Sequence, residues 1–200
     1  MISPVGEPGA GKSTFSFWLT HALKMRGVRA EFVPEVIKYE SYSPEAMARV
    51  VSGRYDSRLL AKQHAFAKPL IGKVEVIVND GALEPFFYYS LLRVGPDRLP
   101  GLRVQLERYM DEQDAAEHRY VTPVRQHAYD TNGRRQTEAE SLGMRTHLLE
   151  TLRREFGIAP VELGNQAMRE AYADALAQEV FARRPQVTPS GPTRRRSRQP

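Results

Sequence analysis

The sequence predicts an α/β protein, a three-layer sandwich in which a mostly parallel five-stranded sheet carries helices on both faces. Three observations lead there. Short apolar, β-branched runs alternate with helical periods along most of the 200 residues, the pattern that builds parallel strands through crossover helices. A glycine-rich turn, Gly6-Glu7-Pro8-Gly9-Ala10-Gly11-Lys12-Ser13-Thr14, stands between the first apolar segment and the first helix. Further on, the apolar run Lys73 to Asp80 ends in a carboxylate, as a strand does when its tip faces the ligand crevice of an open sheet.

Met1, Ile2 and Val5 open the first strand, with Pro4 expected at its end or at an unpaired position because proline lacks a donor for the ladder. Lys12 to Met25 repeats Phe15, Trp18, Leu19, Ala22 and Leu23 at helical spacing, and Gly27 stops it. Val28 to Val33 alternates as a second strand and delivers Pro34-Glu35 at its carboxyl end. Pro44 opens a short helix to about Val51, and Tyr55 to Leu70 reads as a longer one. Glu84 to Leu92 is aromatic and apolar and suits core packing, with a tyrosine or two available as a pocket wall. Gly95 to Gly101 reads as a turn, Leu102 to about Ala115 as a charged helix, and Arg119 to Val124 as the fourth strand. Thr137 and Glu140 match a capping box, so a helix starts there and runs to Phe156 before Gly157. Ile158 to Leu163 supplies a fifth strand and Gln166 to Ala182 a closing helix.

Composition narrows the chemistry. The chain has no cysteine, which excludes disulfides, zinc ribbons and thiolate nucleophiles. Its five histidines show no metal-ligand spacing and read as surface or partly packed residues. No apolar run is long enough to span a bilayer and Met1 leads straight into a strand, so a soluble, cytoplasmic protein without membrane contact is expected. The net charge of +5 is concentrated in Arg194, Arg195, Arg196 and Arg198; without those four, 25 basic residues face 24 acidic ones. Residues 185–200, rich in Pro, Ser, Thr and Arg, read as a disordered basic tail that either solubilises the protein or tethers it to a nucleic-acid backbone. Residues 1–184 then form one domain.

The glycine-rich turn fits G-x-x-x-x-G-K-[ST] without a mismatch. Gly6, Gly9 and Gly11 let the backbone turn its NH groups inward and leave room for a polyphosphate, with Glu7, Pro8 and Ala10 between them and Thr14 behind. In that pattern Lys12 reaches the β- and γ-phosphates of ATP and Ser13 offers its hydroxyl to Mg²⁺, which Asp80 holds from the neighbouring strand tip. Glu35 is the candidate base for an acceptor hydroxyl; alternatively it orients that hydroxyl or pairs with Lys38. The polar loop Tyr129 to Gln136 carries Arg134 and Arg135, which suit a lid over about residues 126–137 that stabilises charge on the moving phosphoryl group, or else a solvated loop.

Four stretches carry a family resemblance: Val33-Pro34-Glu35-Val36-Ile37-Lys38; Leu60-Ala61-Lys62-Gln63; Gly72-Lys73-Val74 leading to Asp80; and Tyr129 with Gly133-Arg134-Arg135-Gln136-Thr137-Glu138. Together they resemble a family of phage-encoded P-loop kinases, AAA-type ATP-binding proteins that include the 5-hydroxymethyluracil DNA kinases. The similarity covers roughly Met1 to Leu163. It implies a P-loop kinase-like fold and transfer of the γ-phosphate of ATP to the hydroxymethyl group of a modified pyrimidine in DNA, a step towards hypermodified thymidines. The Pro34-Glu35-Val36 segment is also similar to the place where deoxynucleoside kinases carry their base. Asp80-Gly81-Ala82 departs from the Asp-Ser-Pro expected there. Two other readings stand beside this one: a kinase for a nucleoside, nucleotide or polynucleotide 5′-hydroxyl, and a DNA-processing or switch-type ATPase.

Overall fold

The structure, a computed structural model, describes residues 1–40, 44–53, 55–113, 118–126, 128–129 and 137–185. Its sheet has five strands, β1 (Ile2–Pro4), β2 (Ala30–Val33), β3 (Val76–Asn79), β4 (Arg119–Pro123) and β5 (Val161–Leu163), in the order β2-β3-β1-β4-β5. All four pairings are parallel. Eight helices accompany them among the described residues: α1 (Lys12–Met25), α2 (Val36–Glu40), α3 (Pro44–Val51), α4 (Asp56–Ala67), α5 (Glu84–Val94), α6 (Pro100–Glu112), α7 (Glu138–Phe156) and α8 (Gln166–Arg183).

Central β1 ends at its proline. Val5 N–H donates to Val121 O at 2.8 Å on the β4 side. The missing Pro4 donor therefore faces β3, where pairing has already stopped at Ile2↔Val78. The strands are shorter than their apolar runs because helix ends claim the flanking donors. Val28 N–H goes to Leu23 O at 3.0 Å and Gly27 N–H to Lys24 O at 2.9 Å, a Schellman closure of α1, so β2 begins only at Ala30. Ile158 N–H likewise closes α7 on Leu152 O at 3.2 Å, and β5 starts at Val161. The capping box at Thr137 forms with both of its bonds, and the Asn165 side chain caps α8 through Met168 N–H.

Side chains alternate across the strands and pack helices on both faces. On one, Phe15, Leu19 and Leu23 of α1 and Leu176 of α8 bury Ile2, Val76, Val78 and Val121. On the other, Ile77 and Val33 meet Ala67 of α4, and Val5 meets Tyr88 of α5 with Leu148 and Leu152 of α7. Helices α4, α5 and α6 add their own cluster around Leu59, Leu60, Phe86, Phe87 and Leu106. Each such fully buried leucine contributes roughly 1.5–3 kcal/mol.

Three elements differ from the sequence reading. Helix α2 is five residues long and buries only Val36, too short to show a period. The aromatic stretch after Asp80 is a helix, started by Pro85 in its first turn. Part of the expected turn at Gly95 to Gly101 is a 3₁₀ turn, Pro96–Arg98, and Pro100 already opens α6. Two of the histidines, read as surface or partly packed, have buried side chains: His64 stacks on Tyr109, with ring centroids 4.2 Å apart, and His118 bonds to Ser3. Among the described residues no helix is long and apolar enough to cross a membrane. Residues 186–200 of the expected tail lie outside the described residues.

Candidate active site

The glycine-rich loop leaves β1 and enters α1 at the carboxyl ends of the strands. Gly9 and Gly11 both hold φ of 84°, a region open to glycine, and Gly11 is the N-cap of α1. At Gly6, with φ of 156°, a Cβ would lie 3.3 Å from the Ala10 Cβ and 3.4 Å from Thr122 Oγ1, a tight fit against β4 that favours glycine. The first bond of the helix runs from Phe15 N–H to Gly11 O at 2.9 Å. Among the described residues the NH groups of Gly9, Gly11, Lys12, Ser13 and Thr14 donate to no protein acceptor, and no side chain caps the helix. Five donors at the positive end of a helix dipole fit an anion such as a polyphosphate.

Lys12 folds back over this cradle and donates to Gly6 O and Glu7 O, each at 3.0 Å. Burial lowers its pKa, against the opposing pull of Glu35 and Asp80. A phosphate would replace two neutral carbonyl partners with a charged one, a stronger bond for the same ammonium.

Two acidic tips stand beside the loop. The register Val33↔Asn79 brings the end of β2 level with the end of β3, and Asp80 N–H donates to Val33 O at 2.9 Å. Asp80 is buried, with its Oδ1 3.4 Å from the Ser16 hydroxyl and its Oδ2 2.6 Å from the Lys38 ammonium. The same ammonium donates to Ser13 Oγ and lies 3.3 Å from Glu35 Oε2. Glu35 therefore pairs with Lys38, one of the roles its position allowed. Burial opposes the charge on Lys38, and Glu35 and Asp80 outweigh it, so its pKa is raised.

Gln63 of α4 fixes this geometry. Its Oε1 accepts from Val36 N–H at 2.8 Å, while its Nε2 donates to Pro34 O and to Asn79 Oδ1, both at 3.0 Å. One amide thus clamps the peptide groups on either side of Glu35 and the residue before Asp80. Tyr89 is close enough to feel the site's charges: burial raises its pKa, and Glu35 and Glu7 push the same way.

The loop is held from its other side by arginines that no motif flagged. Arg125 Nε, just past β4, donates to Gly9 O at 3.2 Å, and its Nη1 meets Glu138 at 2.5 Å. Buried Glu7 lies 4.0 Å from Arg125 and 3.8 Å from Arg145 of α7, and Ser141 donates to Pro8 O at 2.5 Å. The first turns of α7 are thereby docked on the loop. Only the tertiary fold brings these residues there, since Arg125 and Arg145 are far from Glu7 in sequence. The lid arginines Arg134 and Arg135 lie outside the described residues.

Ser13 Oγ and Asp80 converge on one cation position, so the residues fit a divalent ion that completes its shell with phosphate oxygens and water. No group of three or more His, Asp or Glu suited to a metal occurs among the described residues. A concavity of about 800 Å³ lies at the opposite end of the sheet, lined by Met1, Ile2, Val76 and Arg119. It shares no lining residue with the glycine-rich loop, Glu35, Lys38 or Asp80. No protein-family model matches this chain, and no curated protein matches it significantly.

Proposed function

We propose that this chain is an ATP-dependent kinase that transfers the γ-phosphate to a hydroxyl, with the 5-hydroxymethyl group of hydroxymethyluracil in DNA as the acceptor. The observation that carries the reading is the meeting of Lys12, Ser13, Asp80 and Glu35 at the carboxyl ends of three strands, beside a loop with five unaccepted NH donors. The strand order β2-β3-β1-β4-β5 is compatible with a P-loop kinase-like fold. The choice of acceptor rests on the resemblance carried by the four stretches at residues 33–38, 60–63, 72–80 and 129–138, and with it goes a place in the cytoplasm of a phage host.

In this reading the acceptor oxygen bonds to the γ-phosphorus, the bond from that phosphorus to the bridging oxygen of ADP breaks, and the acceptor proton passes to Glu35. Lys12 and the loop NH groups hold the phosphate oxygens in place and spread their charge. Ser13 and Asp80 would hold Mg²⁺, which would supply neutralisation of the phosphate charge.

The test is an acceptor panel with ATP labelled at the γ-phosphate: duplex and single-stranded DNA containing hydroxymethyluracil, unmodified DNA with 5′-hydroxyl ends, free nucleosides and nucleotides, and water. Labelling of the modified base, lost in Lys12→Ala and Asp80→Ala, is expected. Labelling confined to nucleosides or 5′-ends replaces the acceptor. DNA-stimulated phosphate release with no labelled acceptor replaces the kinase with an ATPase.

A further inference from the structure

Lys38 reaches into the site from helix α2, and its ammonium meets oxygens from three different elements. They are the Ser13 hydroxyl on α1, Asp80 Oδ2 at 2.6 Å at the tip of β3, and Glu35 Oε2 at 3.3 Å at the tip of β2. A hydroxyl and two carboxylates are the hard oxygen donors that Mg²⁺ and Mn²⁺ select. An ammonium has donors only, so Ser13 turns a lone pair towards Lys38, as it would towards a metal ion.

The exposures of the partners differ sharply. The Asp80 side chain is 2% exposed, whereas that of Lys38 is 44% exposed. A buried carboxylate without a partner is strongly unfavourable, so Asp80 needs a cation whether or not a metal is bound. Lys38 supplies one from a half-exposed side chain, which can withdraw towards solvent.

We propose that Lys38 is a tethered counter-cation: in the protein without nucleotide it takes the place between Ser13 and Asp80, and it yields that place to a divalent metal. A free metal ion must displace the ammonium in return for few protein oxygens. A metal arriving with a triphosphate brings its own phosphate ligands and engages the loop donors, and the released ammonium gains an anionic neighbour. Lys38 thus biases the site against free metal and towards the metal–nucleotide complex. The nucleotide half of this statement rests on the kinase reading; the competition at Ser13 and Asp80 rests on the contacts alone.

The experiment measures Mn²⁺ binding to the full chain without nucleotide, by the loss of the free Mn²⁺ electron paramagnetic resonance signal. Wild type, Lys38→Met, Lys38→Gln and the double variant Lys38→Met/Asp80→Asn are compared. If Lys38 fills the position nine-tenths of the time or more, each single variant binds Mn²⁺ about tenfold tighter or better than wild type, and the double variant loses the gain. Equal Mn²⁺ affinity in wild type and both single variants overturns the proposal, as does a gain that survives Asp80→Asn. Calorimetric titration of wild type with Mg·ATP separates the two readings. No Mg·ATP binding removes the nucleotide reading and leaves the Mn²⁺ comparison to decide the competition. Normal Mg·ATP binding with unchanged Mn²⁺ affinity removes only the role of Lys38.

Discussion

The amide of Gln63 stands where a side chain at Gly81 would have to go: a Cβ there would lie 2.4 Å from Gln63 Oε1 and 2.8 Å from its Nε2. Gln63 is fully buried and its amide makes three hydrogen bonds, to Val36, Pro34 and Asn79. It is not a loose end that can swing aside. The residue after Asp80 is a glycine because the clamp on Glu35 fills the space next to it.

Gly81→Ala should destabilise the fold by about 1–3 kcal/mol, the scale of an overpacked core position or a broken buried hydrogen bond. In a Gln63→Ala background the same substitution should cost far less, since the clash is gone. Urea unfolding of the four proteins in this cycle reads the coupling directly. Additive effects would mean that Gly81 answers to something other than Gln63.

Glu35→Gln keeps the shape at the tip of β2 and removes the proton acceptor. Turnover should fall about 10²–10⁴-fold, the range for a lost general base. Mg·ATP affinity should change little, because the loop and Lys12 are untouched. Steady-state kinetics alongside calorimetry checks both halves, and an unchanged rate removes Glu35 from the mechanism.

A buried chain of polar groups gives the fold a pH signature. Ser3 Oγ and His118 Nε2 are 2.6 Å apart, His118 Nδ1 meets the Tyr120 hydroxyl at 3.0 Å, and that hydroxyl donates to Glu84. Burial, helped by the charged amino terminus, pushes His118 down to about 3. The unfolded residue titrates near 6.5, so between those values the unfolded chain binds more protons and stability falls as pH is lowered, by up to about 1.4 kcal/mol per pH unit. Glu84 works in the opposite sense. Burial raises its pKa, despite the Tyr120 hydrogen bond, so the folded protein holds that proton to a higher pH and gains from acid. Denaturation midpoints from pH 7 to 3.5 should show a shallower acid limb in His118→Asn and a steeper one in Glu84→Gln.

Thr137 and Glu140 exchange both bonds of a capping box at the start of α7, one turn before Ser141 fastens that helix to Pro8. Thr137→Ala should lower stability by about 1 kcal/mol, read as a drop in the thermal midpoint. Thr137→Ser, which keeps the acceptor oxygen, should stay near wild type.

How much of this was legible depended on whether the signal was local. The glycine-rich turn before α1, the capping box at Thr137 and the strand running up to Asp80 are written in consecutive residues, and their elements appear where the spacing puts them. Glu35 and Asp80 could be placed on one edge because parallel strands present their carboxyl ends together. Lys38 lay in plain view as a partner for Glu35, yet its reach to Ser13 and Asp80 depends on α2, a helix too short to show a period. Arg125 and Arg145 meet Glu7 only through the docking of α7 on the loop, and Gln63 reaches Asn79 only because α4 crosses the tips of β2 and β3. No spacing rule encodes such contacts.

Incubation with γ-labelled ATP and DNA containing hydroxymethyluracil, followed by digestion to nucleosides and separation of the labelled product, tests the central claim most directly. The account predicts label on the hydroxymethyl oxygen of the modified base, dependent on Lys12, Asp80 and Glu35. Label found only in free phosphate, with the modified base untouched in both duplex and single-stranded DNA, would contradict it.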